Sequence, residues 1–102
     1  MSFRSLEPHV FVAGQIRVED LDEAAALGVR HVVSNRPDGE EPGQIEAAVL
    51  AAEAGRRGLT FVHAPARGLP GAETVEAVQA VLATDEPVLL FCKSGMRSAA
   101  AW

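Results

Sequence analysis

Cys92 is the only cysteine in the chain and stands in the run Phe91-Cys92-Lys93-Ser94-Gly95-Met96-Arg97-Ser98. The backbone N–H groups of a tight loop built around Gly95 point inward, and a helix opening at Ser98 adds the positive end of its dipole. Arg97 supplies a permanent guanidinium fork suited to oxyanions, and Lys93 supplies a second cation. Such surroundings favour thiolate over thiol and bring a cysteine pKa down to roughly 3.5–7.5. The expected centre is therefore a Cys92 nucleophile with Arg97 as oxyanion clamp. Lys93, Ser94, Gly95, Met96 and Ser98 form the anion-binding loop around it. A lone cysteine after an apolar strand is more often a buried small hydrophobe; the order strand, Cys, Gly, Arg, Ser, helix is what favours chemistry. Taken singly, Met96 reads as a loop side chain and Ser98 as a helix cap.

Other chemistries have less to stand on. The Gly-x-x-x-x-Gly-Lys-Ser pattern of a nucleotide-binding loop is absent. His9, His31 and His63 lie far apart with no paired-ligand spacing and no second cysteine, so neither metal nor other cofactor is expected. His9 and His31 read as structural or surface residues. His63 is nearer the expected active edge, where a structural role is still the more common one.

The elements that position this loop follow from the punctuation of the chain. His9 to Ala13 is a short apolar strand stopped by Gly14. Glu19 and Asp20 open a helical run with Leu21, Ala24, Ala25 and Leu27 on one face, ended by Gly28. Val29 to Ser34 reads as a strand, followed by a polar loop from Asn35 to Gly43. A helix from about Gln44 carries Ile45, Ala48, Val49 and Ala52 at helical spacing. Leu59 to Ala64 is a third strand, and the loop Pro65 to Gly71 separates it from a helix bearing Val75, Val78, Val81 and Leu82. Val88 to Phe91 is a continuous apolar run of the kind buried on both faces of a sheet. Alternating strands and helices predict an α/β fold, a small mostly parallel sheet flanked by helices. In such sheets ligands bind beyond the carboxyl ends of the strands. That selects the loops 35–43, 65–71 and 92–97.

The chain has 102 residues, which suits one domain spanning 1–102. Apolar residues make up 48% of it, enough for a core without disulfides or metal. The net charge of -5 disfavours nucleic acid and anionic membranes as partners. No apolar run has the length of a membrane span, no signal pattern opens the chain, and a single thiol suits a reducing compartment, so a cytoplasmic location is expected.

Three segments together carry a resemblance: Val12-Ala13-Gly14-Gln15-Ile16, then Val32-Val33-Ser34-Asn35-Arg36-Pro37-Asp38-Gly39-Glu40, then Cys92 to Ser98. In this order and spacing the chain resembles the phosphatase-like domain of the beta-lactamase-hydrolase-like proteins, a bacterial family of dual-specificity-phosphatase-like fold. The resemblance covers essentially the whole chain. It implies Cys92 as nucleophile, Arg97 as clamp, and Asn35 and Arg36 at the border of the pocket. The plainer reading of Arg36 is a solvated loop arginine or a salt bridge to Glu40 or Glu41; Asp38-Gly39 alone reads as a turn. The resemblance also implies a helix after Ser98 longer than the few residues before Trp102, so the C-terminal helix reads as truncated.

The substrate is a small anion, and two features bear on which. Tyrosine and dual-specificity phosphatases have one residue more between cysteine and arginine than the four found here; the shorter spacing is similar to the active loop of rhodaneses. Phosphatases also need an acid to protonate the leaving oxygen. The loop 65–71 contains no Asp or Glu, leaving Asp38, or Glu40, as the possible general acid. Thiolate attack on a sulfane sulfur needs no such acid and leaves a persulfide. The sequence reading therefore prefers sulfur transfer through a Cys92 persulfide, with a phosphoester hydrolase acting through phosphocysteine as the alternative. Proteins of this resemblance are often fused to, or encoded beside, a persulfide dioxygenase, which implies such a partner and a role in sulfide metabolism. A non-catalytic anion-binding module is the remaining reading.

Overall fold

A computed structural model of the chain describes residues 3–7, 9–65 and 72–92. In chain order the elements are β1 (Arg4–Glu7), β2 (Val10–Ala13), α1 (Val18–Ala26), β3 (His31–Ser34), α2 (Ala47–Arg56), β4 (Thr60–His63), α3 (Ala72–Leu82) and β5 (Val88–Phe91). One five-stranded sheet has the order β1-β2-β5-β3-β4. β2, β5, β3 and β4 are parallel, and β1 runs antiparallel against β2. The mostly parallel α/β sheet expected from the alternation is what forms.

The last strand enters at the centre. All four residues of β5 are buried, as its unbroken apolar run requires. Leu89 and Phe91 face a core shared with Leu21, Ala24, Leu50 and Ala54 of α1 and α2. Val88 and Leu90 face the other, shared with Val78 and Val81 of α3. Each large side chain fully buried in this way contributes about 1.5–3 kcal/mol. The ladders are in step: Ala13, Phe91, Ser34 and His63 share one register level at the carboxyl edge. The next residues, Gly14, Cys92, Asn35 and Ala64, leave the sheet side by side.

Three local expectations change. β1 is an added edge strand that the sequence pattern did not suggest. In α1, Leu21 and Ala24 are buried, but Ala25 is exposed and Leu27 is 50% exposed. Leu27 is the C-cap, where the chain turns at Gly28 with φ +88°, a conformation that suits glycine. In α2 the buried stripe is Ala47, Leu50 and Ala54, while Val49 is 49% exposed. That helix starts at Ala47 rather than near Gln44 because Gln44 is used by the preceding loop. Its Oε1 accepts the Glu40 and Glu41 N–H groups, and its Nε2 donates to Pro37 O at 2.9 Å. The buried stripe falls on Leu50, the largest apolar side chain in the helix.

Among the described residues no helix is long and apolar enough to cross a membrane, and no group of three or more His, Cys, Asp and Glu could hold a metal ion.

Candidate active site

Cys92 is the first residue beyond β5, at the centre of the carboxyl edge. Its N–H donates to Ala13 O of β2 at 3.2 Å, and the residue is fully buried. Lys93, Ser94, Gly95, Met96, Arg97 and Ser98, together with residues 66–71, lie outside the described residues. What can be built is the scaffold that delivers Cys92 to that loop.

Asn35 forms the wall on the β3 side. Its backbone N–H donates to Phe91 O at 2.8 Å, one residue before the cysteine. Its Nδ2 donates to Ala64 O at 2.9 Å, which ties β3 to the end of β4. The Ala64 N–H returns a bond to Ser34 O at 2.8 Å. The Asn35 residue is wholly buried, and its Oδ1 has no hydrogen-bond partner among the described residues. A buried acceptor left open is rare and costly.

Arg36 is only 4% exposed. Its Nη1 donates to Gln15 Oε1 at 2.8 Å and its Nε to Glu40 Oε1 at 3.0 Å. Nη2 lies 3.3 Å from Glu41 Oε1, an ion pair at an angle that does not make a hydrogen bond. The reading of Arg36 as a solvated loop side chain gives way to the salt bridge, and it pairs with both glutamates. The Arg36 backbone is held as well. Ser34 Oγ accepts its N–H at 3.3 Å, and His63 Nε2 lies 2.9 Å from its carbonyl. A carbonyl only accepts, so Nε2 carries the His63 proton. The structural reading of His63 is therefore the one its contacts fit. His31, at the opposite edge, bonds Thr60 and, at 2.9 Å, Glu86.

Asp38 and Gly39 form a turn, Gly39 with φ +74°. The Asp38 Oδ1 accepts the Ala47 N–H at 2.8 Å, satisfying one of the open donors at the start of α2. The carboxylate considered for proton transfer thus already has a structural partner.

Together the two residues Asn35 and Arg36 bond to the ends of β5, β4 and the segment after β2. Beside them, on the α1/α2 side, is an open cleft of about 410 Å³ whose lining includes Gln15, Ile16, Arg17, Arg36, Gln44 and Ile45. Gln15 was not singled out as a site residue. The signal was available: it stands two residues beyond β2 just as Arg36 stands two beyond β3, and the carboxyl-edge rule applies to both strands.

Comparison with known proteins agrees with this fold. The family model of the beta-lactamase hydrolase-like protein, phosphatase-like domain, matches residues 2–102. The beta-lactamase hydrolase-like protein of Xylella fastidiosa (strain Temecula1) is 34% identical over 100 residues, covering 96% of this chain. That of Agrobacterium fabrum is 35% identical over 89 residues, covering 85%. The chain spans only 23% and 21% of the lengths of these two relatives. Among solved structures, a candidate phosphatase from Neisseria meningitidis superposes with a TM-score of 0.85 at 29% identity, over 96% of this chain and 71% of that one. Pseudomonas aeruginosa TpbA, solved in complex with phosphotyrosine, superposes at 0.66 with 18% identity, over 91% and 54%; this likeness shows the shared fold. The family match covers nearly the whole chain and the curated relatives exceed 30% identity, so the chain belongs to the phosphatase-like domain family of the beta-lactamase hydrolase-like proteins and has the fold of the cysteine phosphatases.

Proposed function

We propose that this domain hydrolyses small phosphoesters through a covalent intermediate on Cys92. The observation that carries this reading is the delivery of Cys92 from the central strand to the carboxyl edge of a sheet shared with cysteine phosphatases. In the first step the thiolate attacks phosphorus, an S–P bond forms, and the ester P–O bond breaks. Arg97 and the loop amides of residues 93–98 hold the phosphoryl oxygens. Water then attacks the phosphocysteine, releasing inorganic phosphate and regenerating the thiolate. With its Oδ1 bonded to Ala47 N–H, the Asp38 carboxylate is already engaged in capping α2 rather than in protonating the departing oxygen. Aryl phosphates, whose leaving groups need little protonation, are the substrates this site suits.

A second reading, sulfur transfer, is favoured by the same engagement of Asp38 and by the four residues between Cys92 and Arg97. Here the thiolate attacks the outer sulfur of a sulfane donor, an S–S bond forms on Cys92, and the donor leaves as sulfite or thiolate. The persulfide then passes to an acceptor thiol. A persulfide dioxygenase, fused or separate, is the partner that this reading supplies.

Mass spectrometry of Cys92 after exposure to an aryl phosphate, and separately to thiosulfate, distinguishes the two. A phosphoryl adduct absent from Cys92→Ser supports hydrolysis; a gain of one sulfur without any phosphoryl adduct replaces it by sulfur transfer. Neither adduct, with an ordinary thiol titration, leaves a non-catalytic anion-binding module.

A further inference from the structure

The cysteine strand is gripped from both sides at one level. Cys92 N–H bonds to Ala13 O on β2, and Phe91 O accepts the Asn35 N–H on β3. Gln15, two residues beyond Ala13, and Arg36, the residue after Asn35, bond to each other at 2.8 Å. That bond bridges the segments leaving β2 and β3, which the sheet holds apart by the width of β5. Its ends are both fixed. The Gln15 Nε2 donates to Ile16 O at 2.8 Å, and Ile16 is fully buried in the α1/α2 core. The Arg36 guanidinium is held by Glu40 and its backbone by Ser34 and His63.

We infer that Gln15, acting through Arg36, is a positioning residue for Cys92. Parallel strands fray most easily at their ends, where ladder bonds run out. The Gln15–Arg36 bond closes the two flanking segments across that end, so Ala13 O and Asn35 N–H stay at the spacing that seats Phe91 and Cys92. The Cys92 thiol is then held at a fixed place at the sheet edge, and a small displacement of a nucleophile weakens its reaction and the stabilisation of its thiolate. Gln15 suits the task because its amide offers an acceptor to Arg36 and a donor to Ile16 at once. A methionine at this position keeps the length and loses both.

This inference rests on Cys92 being the nucleophile, and its test separates the two claims. Amide hydrogen exchange of the full chain is compared among wild type, Gln15→Met and Gln15→Glu, and the Cys92 thiol is titrated by its ultraviolet thiolate absorbance. The chain has one cysteine and no tyrosine, so that signal is clean. In Gln15→Met the Cys92 amide is expected to exchange about tenfold faster while the Leu89 and Leu90 amides are unchanged. Half-ionisation of its thiol then needs a proton concentration about tenfold lower than in wild type. Gln15→Glu, which keeps an oxygen facing Arg36 Nη1, restores the slow exchange of Cys92. Faster exchange along the whole of β5, or an unchanged thiol titration beside a lowered one in wild type, overturns the positioning role. A wild-type thiol of ordinary pKa overturns the nucleophile reading instead, and the exchange measurement still decides whether Gln15 secures Cys92.

Discussion

Asn35 donates its backbone N–H to the carbonyl of Phe91 at 2.8 Å, so β3 holds the central strand at the residue before Cys92. The same asparagine reaches the other way with its side chain, to Ala64 at the end of β4. One residue therefore sets the lateral spacing of three strands where the chemistry is expected. The arrangement needs an asparagine in particular. Its side chain must donate to a carbonyl in a buried site, and it must carry no charge there.

Replacing Asn35 tests that account. Asn35→Ala leaves the Ala64 carbonyl without its donor, at a cost of about 1–3 kcal/mol. Asn35→Asp sets a buried carboxylate against that carbonyl, and about 3–5 kcal/mol is expected. Urea unfolding followed at neutral pH should rank wild type above Ala and Ala above Asp. The reverse order of the two variants would mean that Nδ2 does not donate to Ala64.

The contrast between fold and site shows what a single sequence carries. Strong period-two and continuous apolar runs, as in Val88–Phe91, specify strands and even their depth, because burial on both faces excludes polar residues. Gly28 was legible as a helix stop because only its backbone freedom matters. The buried face of α2 was not. Eight of its ten residues are apolar or glycine, so hydrophobic periodicity is blurred, and only the side-chain bonds of Gln44 and Asp38 decide where the helix begins. The same holds for the site. Cys92 announces itself by residue type, and Asn35 and Arg36 by motif. Gln15 acts through a pairing with a residue 21 positions away, which periodicity cannot express.

Asp38 separates capping from proton transfer. Asp38→Asn keeps an Oδ1 acceptor for the Ala47 N–H and should leave stability within a few tenths of a kcal/mol, whereas Asp38→Ala should lose about 1 kcal/mol. Turnover of an aryl phosphate should be nearly the same in wild type and Asp38→Asn. A loss of about 10²–10⁴-fold, growing as the leaving group becomes more basic, would assign Asp38 as the general acid.

The pair Asp22 and Arg57 makes stability depend on acid. A hydrogen bond from Arg57 lowers the Asp22 pKa below its ordinary value of 3.8; partial desolvation opposes the shift, and Coulombic attraction to Arg57 adds to it. Because the folded-state pKa lies below the unfolded one, the contribution is fully present above the unfolded value. It is lost as pH falls through the folded value. The Asp22 carboxylate is exposed and the Arg57 side chain half-buried, so salt should screen the effect in part. Unfolding midpoints of wild type and Asp22→Asn should differ at pH 6 in low salt and converge toward pH 2. A difference that persists at pH 2 would trace to something other than this charge.

Arg36 presents the sharpest energetic contrast in the site. Its guanidinium serves Gln15, Glu40 and Glu41 at once, which requires a planar fork rather than a point charge. Arg36→Lys keeps the cation but cannot span Gln15 and Glu40 together, so a loss of about 1–3 kcal/mol is expected. Arg36→Met removes the cation from beside Glu40, whose side chain is 13% exposed, and should cost about 3–5 kcal/mol. Most of that loss is the penalty on the carboxylate rather than the worth of the bond. Adding Glu40→Gln to Arg36→Met should therefore recover stability, with a favourable coupling of at least about 0.5 kcal/mol in a double-mutant cycle. Simple additivity of the two substitutions would show that Glu40 is stabilised without Arg36, and the arginine would then be held in place chiefly by Gln15.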